Sequence, residues 1–210
     1  YFTTSSDDDE PEAPLPEPTL SVSPRDTLEE KHIQVDENQR GISYGQLLVP
    51  YLLGATRVVI TDPYVRLFYQ TRNVMELLEA IASEKPEEQE LAIELRTIQD
   101  DFKQEEQARN LEQIQIAAQI MGIRFSWSFD ESRTIHARHI VTDHGWKVLL
   151  DRGLDIFQRY EMNDAFSVAN RLQKYRACKA FESTFMRFDG PIEEPVAETV
   201  LAESSSLLAL

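Results

Sequence analysis

The sequence predicts an α/β protein, a mixed sheet flanked by helices. Segments of helical period alternate with short apolar segments of strand period, three times in succession. A strand pair around His144-Gly145 then follows without an intervening helix. Turn and cap residues fall at most of the changes of period.

The first element is GISYGQLLVPYLLG. Ser43 is suited to cap it, Leu47, Leu48, Tyr51 and Leu52 give it an apolar side, and Gly54 ends it, with a bend or early end expected at Pro50. RVVITDPYV reads as a buried strand over Val58 to Thr61, stopped by Asp62-Pro63. LFYQTRNVMELLEAIASE has helical spacing at Leu67, Val74, Leu78 and Ile81, and the charged KPEEQ loop follows. LAIELRTI alternates as a strand with Leu91, Ile93 and Leu95 on one face. FKQEEQARNLEQIQIAAQIMG is the strongest helix, apolar at Leu111, Ile114, Ala118 and Met121 and ended by Gly122. IRFSWSF puts Ile123, Phe125, Trp127 and Phe129 on one side of a further strand, and IHARHIVTD and WKVLLD pair as a hairpin. From Phe166 onward, NRLQKYRACKAFESTFMRF fits helix or strand equally.

Charge divides the chain into three parts. Residues 1–37 hold eleven acids and two bases, residues 190–210 four acids and no base, and residues 38–189 hold 22 acids against 19 bases. The opening DDDEPEAPLPEP has no periodic apolar face, so 1–37 is expected to be a disordered, acidic and proline-rich linker. Residues 190–210 are expected to be an acidic C-terminal tail, and a folded unit remains over 38–189. The chain starts at Tyr1, which suggests a piece of a longer protein. No apolar run reaches the ~18 residues of a membrane span, and the single Cys178 suits a packed thiol and a reducing, cytoplasmic setting.

The chemistry on offer is narrow. GxxxxGK is absent, as are paired cysteines. In a strand, His136 and His139 point to opposite faces, so no metal and no cofactor is expected. Strand alternation would instead set His136 and Arg138 on one face. An imidazole beside a guanidinium suits an anion: the guanidinium can grip a phosphate oxygen bidentately, and the imidazole can donate, accept or attack. Two polar side chains on a solvated strand face are the plain alternative. Residues 123–187 hold eleven bases and eight acids, a balance compatible with an anionic partner. The turn Asp62-Pro63-Tyr64-Val65-Arg66 lies at the carboxyl end of a strand, where α/β sheets tend to bind ligands. Asp62 is suited there to capping or to pairing with an arginine. In Asp151-Arg152-Gly153-Leu154-Asp155, Arg152 can reach the same anion or pair with Asp155.

The spacing His136-x-Arg138-x4-Asp143 matches the phospholipase D motif His-x-Lys-x4-Asp, with arginine for lysine. The chain resembles, more specifically, the phospholipase-D-like C-terminal domain of MIT-domain proteins. The resemblance is carried in order by GISYGQLLVPYL, VVITDPYVR with Gln70 and Asn73, QARNLEQI, IHARHI, GWKVLLDRGLDIF and Arg176-Ala177-Cys178. It implies a phospholipase-D-like sandwich with one repeat and with His136 and Arg138 on a central strand. Ligand-binding residues would be His136, Arg138, Asp143, Arg152, Asp62, Tyr64 and Arg66. Enzymes of the superfamily use a histidine nucleophile and pair two motifs, so catalysis here would need a homodimer joined about a two-fold axis. Lysine is replaced, and the enzymes' Gly-Ser-x-Asn pattern is missing. The resemblance therefore favours a non-catalytic, homodimeric module that binds an anionic ligand, a phospholipid head group or nucleic-acid phosphate. Such a module would target a larger protein, for instance as an appendage to an AAA+ ATPase or Lon-like protease domain of the same parent chain. The alternatives are a residual phosphodiesterase or nuclease acting through His136 across a dimer, and a protein–protein docking domain.

Overall fold

A computed structural model describes residues 28–192 of the 210. Seven strands form one mixed sheet in the order β1-β7-β6-β5-β2-β3-β4. They are β1 (Lys31–Val35), β2 (Arg57–Thr61), β3 (Leu91–Thr97), β4 (Ile123–Phe129), β5 (His139–Thr142), β6 (Trp146–Leu150) and β7 (Phe181–Arg187). β2, β3 and β4 are parallel, whereas β5, β6, β7 and β1 join them as antiparallel neighbours.

The parallel half arises where the sequence spends a helix on each crossover. α3 (Phe68–Glu84) links β2 to β3, and α4 (Gln104–Ile120) links β3 to β4. The preceding helical segment is split into α1 (Tyr44–Leu47) and α2 (Val49–Leu52), with Pro50 in the first turn of the second piece and Ser43 accepting from the Gln46 amide. These helices cover one face. There Val58, Ile60, Ile93, Leu95, Phe125, Ile140 and Val148 meet Leu77, Leu78, Leu111 and Ile114 in one hydrophobic core. Trp146 and Phe185 join it through Tyr51 of α2. The ambiguous stretch after Phe166 resolves into α5 (Val168–Arg171), a 3-10 turn at Gln173–Tyr175 and β7.

Two expectations are corrected. The linker does not extend through residue 37, because Lys31–Val35 pairs with β7. KHIQV alternates, Val35 is buried and Ile33 packs against the core, so a five-residue strand had been hidden by its acidic neighbours. The rest of that expected linker, residues 1–27, lies outside the described residues, as does 193–210 of the expected tail. The second correction concerns IHARHIVTD. β5 begins only at His139, so His136 and Arg138 lie in the irregular approach to it rather than on a strand. The cause is local: the Asp130 carboxylate accepts from the amides of Ser132, Thr134 and Ile135, closing a turn that competes with strand pairing.

Candidate functional site

β2 and β5 run antiparallel, so the carboxyl end of one meets the entrance of the other. There the chain leaves β2 through Asp62-Pro63, enters β5 through Arg138 and leaves β6 through Asp151-Arg152-Gly153. These turns, with the first turns of α3, enclose a cavity of about 170 Å3 lined by Asp62, Tyr64, Val65, Gln70, Asn73, Arg138, Arg152, Leu154 and Asp155.

Each wall has a local reason. The Asp62 carboxylate accepts from the Tyr64 amide at 3.0 Å, which shapes the turn after β2. Gln70 accepts from the Arg66 and Leu67 amides at 3.1 and 2.9 Å and so caps α3 while facing the cavity. Gly153 has φ +61°, and a Cβ there would sit 1.9 Å from Asp62 Oδ2 and 3.3 Å from Arg138 Cδ. Only glycine lets the β6 turn approach the Asp62 carboxylate so closely.

The two arginines are held from behind. Arg138 donates to the Asp151 carbonyl, and its guanidinium lies 4.2 Å from the centre of the Tyr64 ring. Arg66 flanks the same ring at 5.7 Å and donates to the Pro63 carbonyl at 3.1 Å. Arg152 donates through Nε to the Ala180 carbonyl at 2.6 Å. A guanidinium carries five N–H groups, so these tethers orient the cations without exhausting them. The negative charge beside them is restrained. Asp155 is engaged by Lys179 at 2.7 Å. Burial pushes the Asp62 carboxyl above its ordinary value, against the opposing effects of the Tyr64 and Leu154 amides and of Arg138.

Behind this end lies a buried ionic clasp. Arg176 donates twice to Glu76 of α3, at 2.5 and 2.9 Å, and Gln173 and Tyr160 bond the same carboxylate. Arg176 also donates to the Ala169 and Asn170 carbonyls, while Arg72 reaches the Met162 carbonyl and Asn170 Oδ1. The clasp fixes the long connection between β6 and β7 against α3. Burial alone would raise the Glu76 carboxyl, but its bonds to Arg176 and Gln173 and the charges of Arg176 and Arg72 hold it below the ordinary value.

Of the residues predicted from sequence, Asp62, Tyr64, Arg138 and Arg152 come together at the cavity. Arg66 stands beside it, behind Tyr64. His136 is exposed and is not among the lining residues. Asp143 is at the opposite end of β5, accepting from the Thr56 amide at 3.0 Å and from the Thr56 hydroxyl. A strand between Arg138 and Asp143 advances ~3.3 Å per residue, which sets their backbones ~16 Å apart. The His-x-Arg-x4-Asp spacing therefore does not describe one site. Of the two readings of Arg152, an anion contact or a pairing with Asp155, the second meets a competitor: Asp155 bonds Lys179 and lines the cavity. Gln70 and Asn73 entered only as matching residues of the resemblance; their position at the start of a helix following the Asp-Pro turn was the available signal. Among the described residues there is no group of three or more His, Cys, Asp or Glu placed to hold a metal ion. None of the described helices is long and apolar enough to cross a membrane.

The fold is thus α/β, a seven-stranded mixed sheet among the described residues with an arginine-lined cavity where the first parallel strand meets the hairpin. The chain belongs to the family described as the phospholipase D-like domain at the C-terminus of MIT, whose model matches residues 41–187. It is also similar to MIT domain-containing protein 1 of Mus musculus, 31% identical over 130 residues, which are 61% of this chain and 51% of that protein. The match thus spans about half the length of the relative.

Proposed function

We propose that this domain is a non-catalytic module that binds a phosphate-bearing head group at an anionic membrane surface and so positions a larger protein there. The observation that carries the reading is the convergence of Arg138 and Arg152 on one small cavity. Its ~170 Å3 is well below the ~300–1,000 Å3 of pockets that engulf a whole small molecule. A single anionic group suits it better. Exposed apolar side chains stand at the same end of the molecule: Tyr64 on the cavity wall and Leu67 and Phe68 at the start of α3. Phe166, 94% exposed, tips the connection that Arg72 and Asn170 tie to α3. Aromatic and apolar residues beside cationic ones favour a lipid interface over nucleic acid. The residual-phosphodiesterase reading needs a nucleophile at the anion, and His136 does not line the cavity.

The test uses vesicles of neutral phosphatidylcholine, with and without phosphoinositide, and soluble inositol trisphosphate as a second probe. The wild type is expected to sediment with the phosphoinositide vesicles and to bind the soluble probe. Arg138→Ala and Arg152→Ala should each lose about tenfold or more, since a hydrogen bond to a charged group contributes ~1.5–3 kcal/mol. Binding unaffected by both substitutions would overturn the site. Hydrolysis of bis-(p-nitrophenyl) phosphate that disappears in His136→Ala would overturn the non-catalytic reading.

A further inference from the structure

Phenylalanine is among the residue types most often fully buried, so a group of them left in water at one place calls for a reason. Phe102 and Phe166 are 95% and 94% exposed, the highest values for a large apolar side chain among the described residues, and Phe68 and Leu67 are exposed as well. These four residues lie on three segments far apart in sequence, yet the fold gathers the segments at one end of the sheet.

The parallel pairing of β2 with β3 sets the turn after Thr61 beside the loop after Thr97. Gln107 of α4, wholly buried, pins the two together. It donates to the Val65 and Ile98 carbonyls at 2.8 and 3.1 Å and accepts from the Asp100 amide at 2.8 Å. Leu67 and Phe68 follow Val65 closely, and Phe102 follows Asp100, whose carboxylate accepts from the Phe102 and Lys103 amides at 2.9 and 2.7 Å. Arg72, one turn beyond Phe68, brings in the third segment through the Met162 carbonyl and Asn170 Oδ1. There the Asp164 carboxylate accepts from the Phe166 amide at 2.9 Å and shapes the tip. The exposed phenylalanines are thus carried on braced backbone, at the end that also holds the cavity of Arg138 and Arg152.

Charge and shape point to one occupant. Arg66, Arg138 and Arg152 stand at this end, and the carboxylates next to the phenylalanines in sequence are engaged: Asp100 by its turn amides, Asp101 by Arg133 and Asp164 by the Phe166 amide. A folded partner would need a separate pocket for each apolar tip. The boundary between head groups and acyl chains accepts such tips without a preformed pocket, and an anionic leaflet attracts the cations between them.

We propose, building on the head-group reading of the cavity, that this end is a membrane-inserting surface: Phe68, Phe102 and Phe166 enter the acyl boundary of an anionic phospholipid bilayer while the cavity holds a head group.

The chain's single cysteine, Cys178, is wholly buried, so an environment-sensitive fluorophore can be directed to an introduced thiol. Full-length Phe68→Cys, Phe102→Cys and Phe166→Cys chains, each labelled, are mixed with phosphatidylcholine vesicles containing phosphoinositide. Each label should shift to the blue and be quenched by nitroxides on the acyl chains. A label in Ile120→Cys, exposed at the other end of α4 and ~25 Å from its start, should do neither. Replacing all three phenylalanines by serine should weaken vesicle binding about tenfold or more while binding of soluble inositol trisphosphate holds. Unquenched labels with undiminished vesicle binding by the serine chain would overturn the insertion and leave the head-group reading standing. Quenching that is equal with and without phosphoinositide would support the insertion and remove the head-group reading. A label that shifts with protein concentration in the absence of vesicles would overturn the proposal in favour of a second copy of the chain.

Discussion

The two ends of β5 make an instructive pair. Arg138 at its entrance and Asp143 at its exit are five positions apart in one motif-like stretch, yet they take part in different jobs. The entrance end is concave, buried at its base and organised by backbone carbonyls that aim arginines inward. The exit end is an exposed carboxylate clasping the Thr56 amide and hydroxyl, which ties the β5–β6 turn to the start of β2. A short strand transmits no chemistry along its length; it separates what the spacing brings together. The entrance end should therefore govern binding and the exit end local stability.

The largest effect should come from the clasp behind the entrance end. Glu76→Ala leaves Arg176, 2% exposed in its side chain, buried without its carboxylate partner. Removing one member of a buried pair costs ~3–5 kcal/mol, so urea denaturation should show a large loss of stability. pH should act in the same direction. The Glu76 carboxyl lies lower in the folded chain than in the unfolded one, so its contribution is present above the unfolded value and lost as pH falls through the folded value. A Glu76→Ala chain that denatures like the wild type would mean that the connection between β6 and β7 is held by its other contacts.

A smaller and crossed pair of outcomes tests the two ends directly. Asp143→Ala should cost about 1 kcal/mol, because the carboxylate it removes is solvent-exposed, and should leave binding of inositol trisphosphate unchanged. Arg138→Ala should do the reverse, losing binding while stability moves by about 0.5–1 kcal/mol. If both substitutions weaken binding alike, the motif acts as a unit after all and the separation by a strand is irrelevant.

What sequence could reveal follows from the same contrast. α1 to α4, β2 to β4 and the hairpin at His144-Gly145 were legible because their apolar periods are local and turn residues stand at several of their ends. β1 was not: KHIQV gains its meaning from β7, some 150 residues away, and its acidic surroundings read as linker. At the cavity, Asp62, Tyr64 and Arg152 were singled out because turns at strand ends announce themselves, and Arg138 because of its spacing from His136. His136 was set on a strand by extending alternation into a stretch that follows the Asp130-centred turn, and Asp143 was joined to it by motif spacing alone, although β5 carries it to the other end of the sheet. The Glu76–Arg176 clasp was invisible. Arg176 entered only with the matching segment Arg176-Ala177-Cys178 and Glu76 stands in no pattern, and only folding brings a helix and a late connection together.

The finest test concerns Asp62, a buried carboxyl that lines the cavity with Arg138 and Arg152. Its carboxyl is raised, first by burial, with the Tyr64 and Leu154 amides and Arg138 pulling the other way. In the free protein a raised folded value means that its contribution to stability is fully present below the unfolded carboxylate value and is lost as pH rises through the folded one. A phosphate entering the cavity brings further negative charge and must raise the value again. By linkage, binding then takes up protons, so affinity for inositol trisphosphate should climb by a few-fold as pH falls through the range where Asp62 titrates. Asp62→Asn keeps one acceptor oxygen for the turn amides but cannot ionise, and it should flatten that dependence while retaining affinity. A slope that persists in Asp62→Asn would assign the proton to the ligand's own phosphates and leave Asp62 as a turn former at the cavity floor.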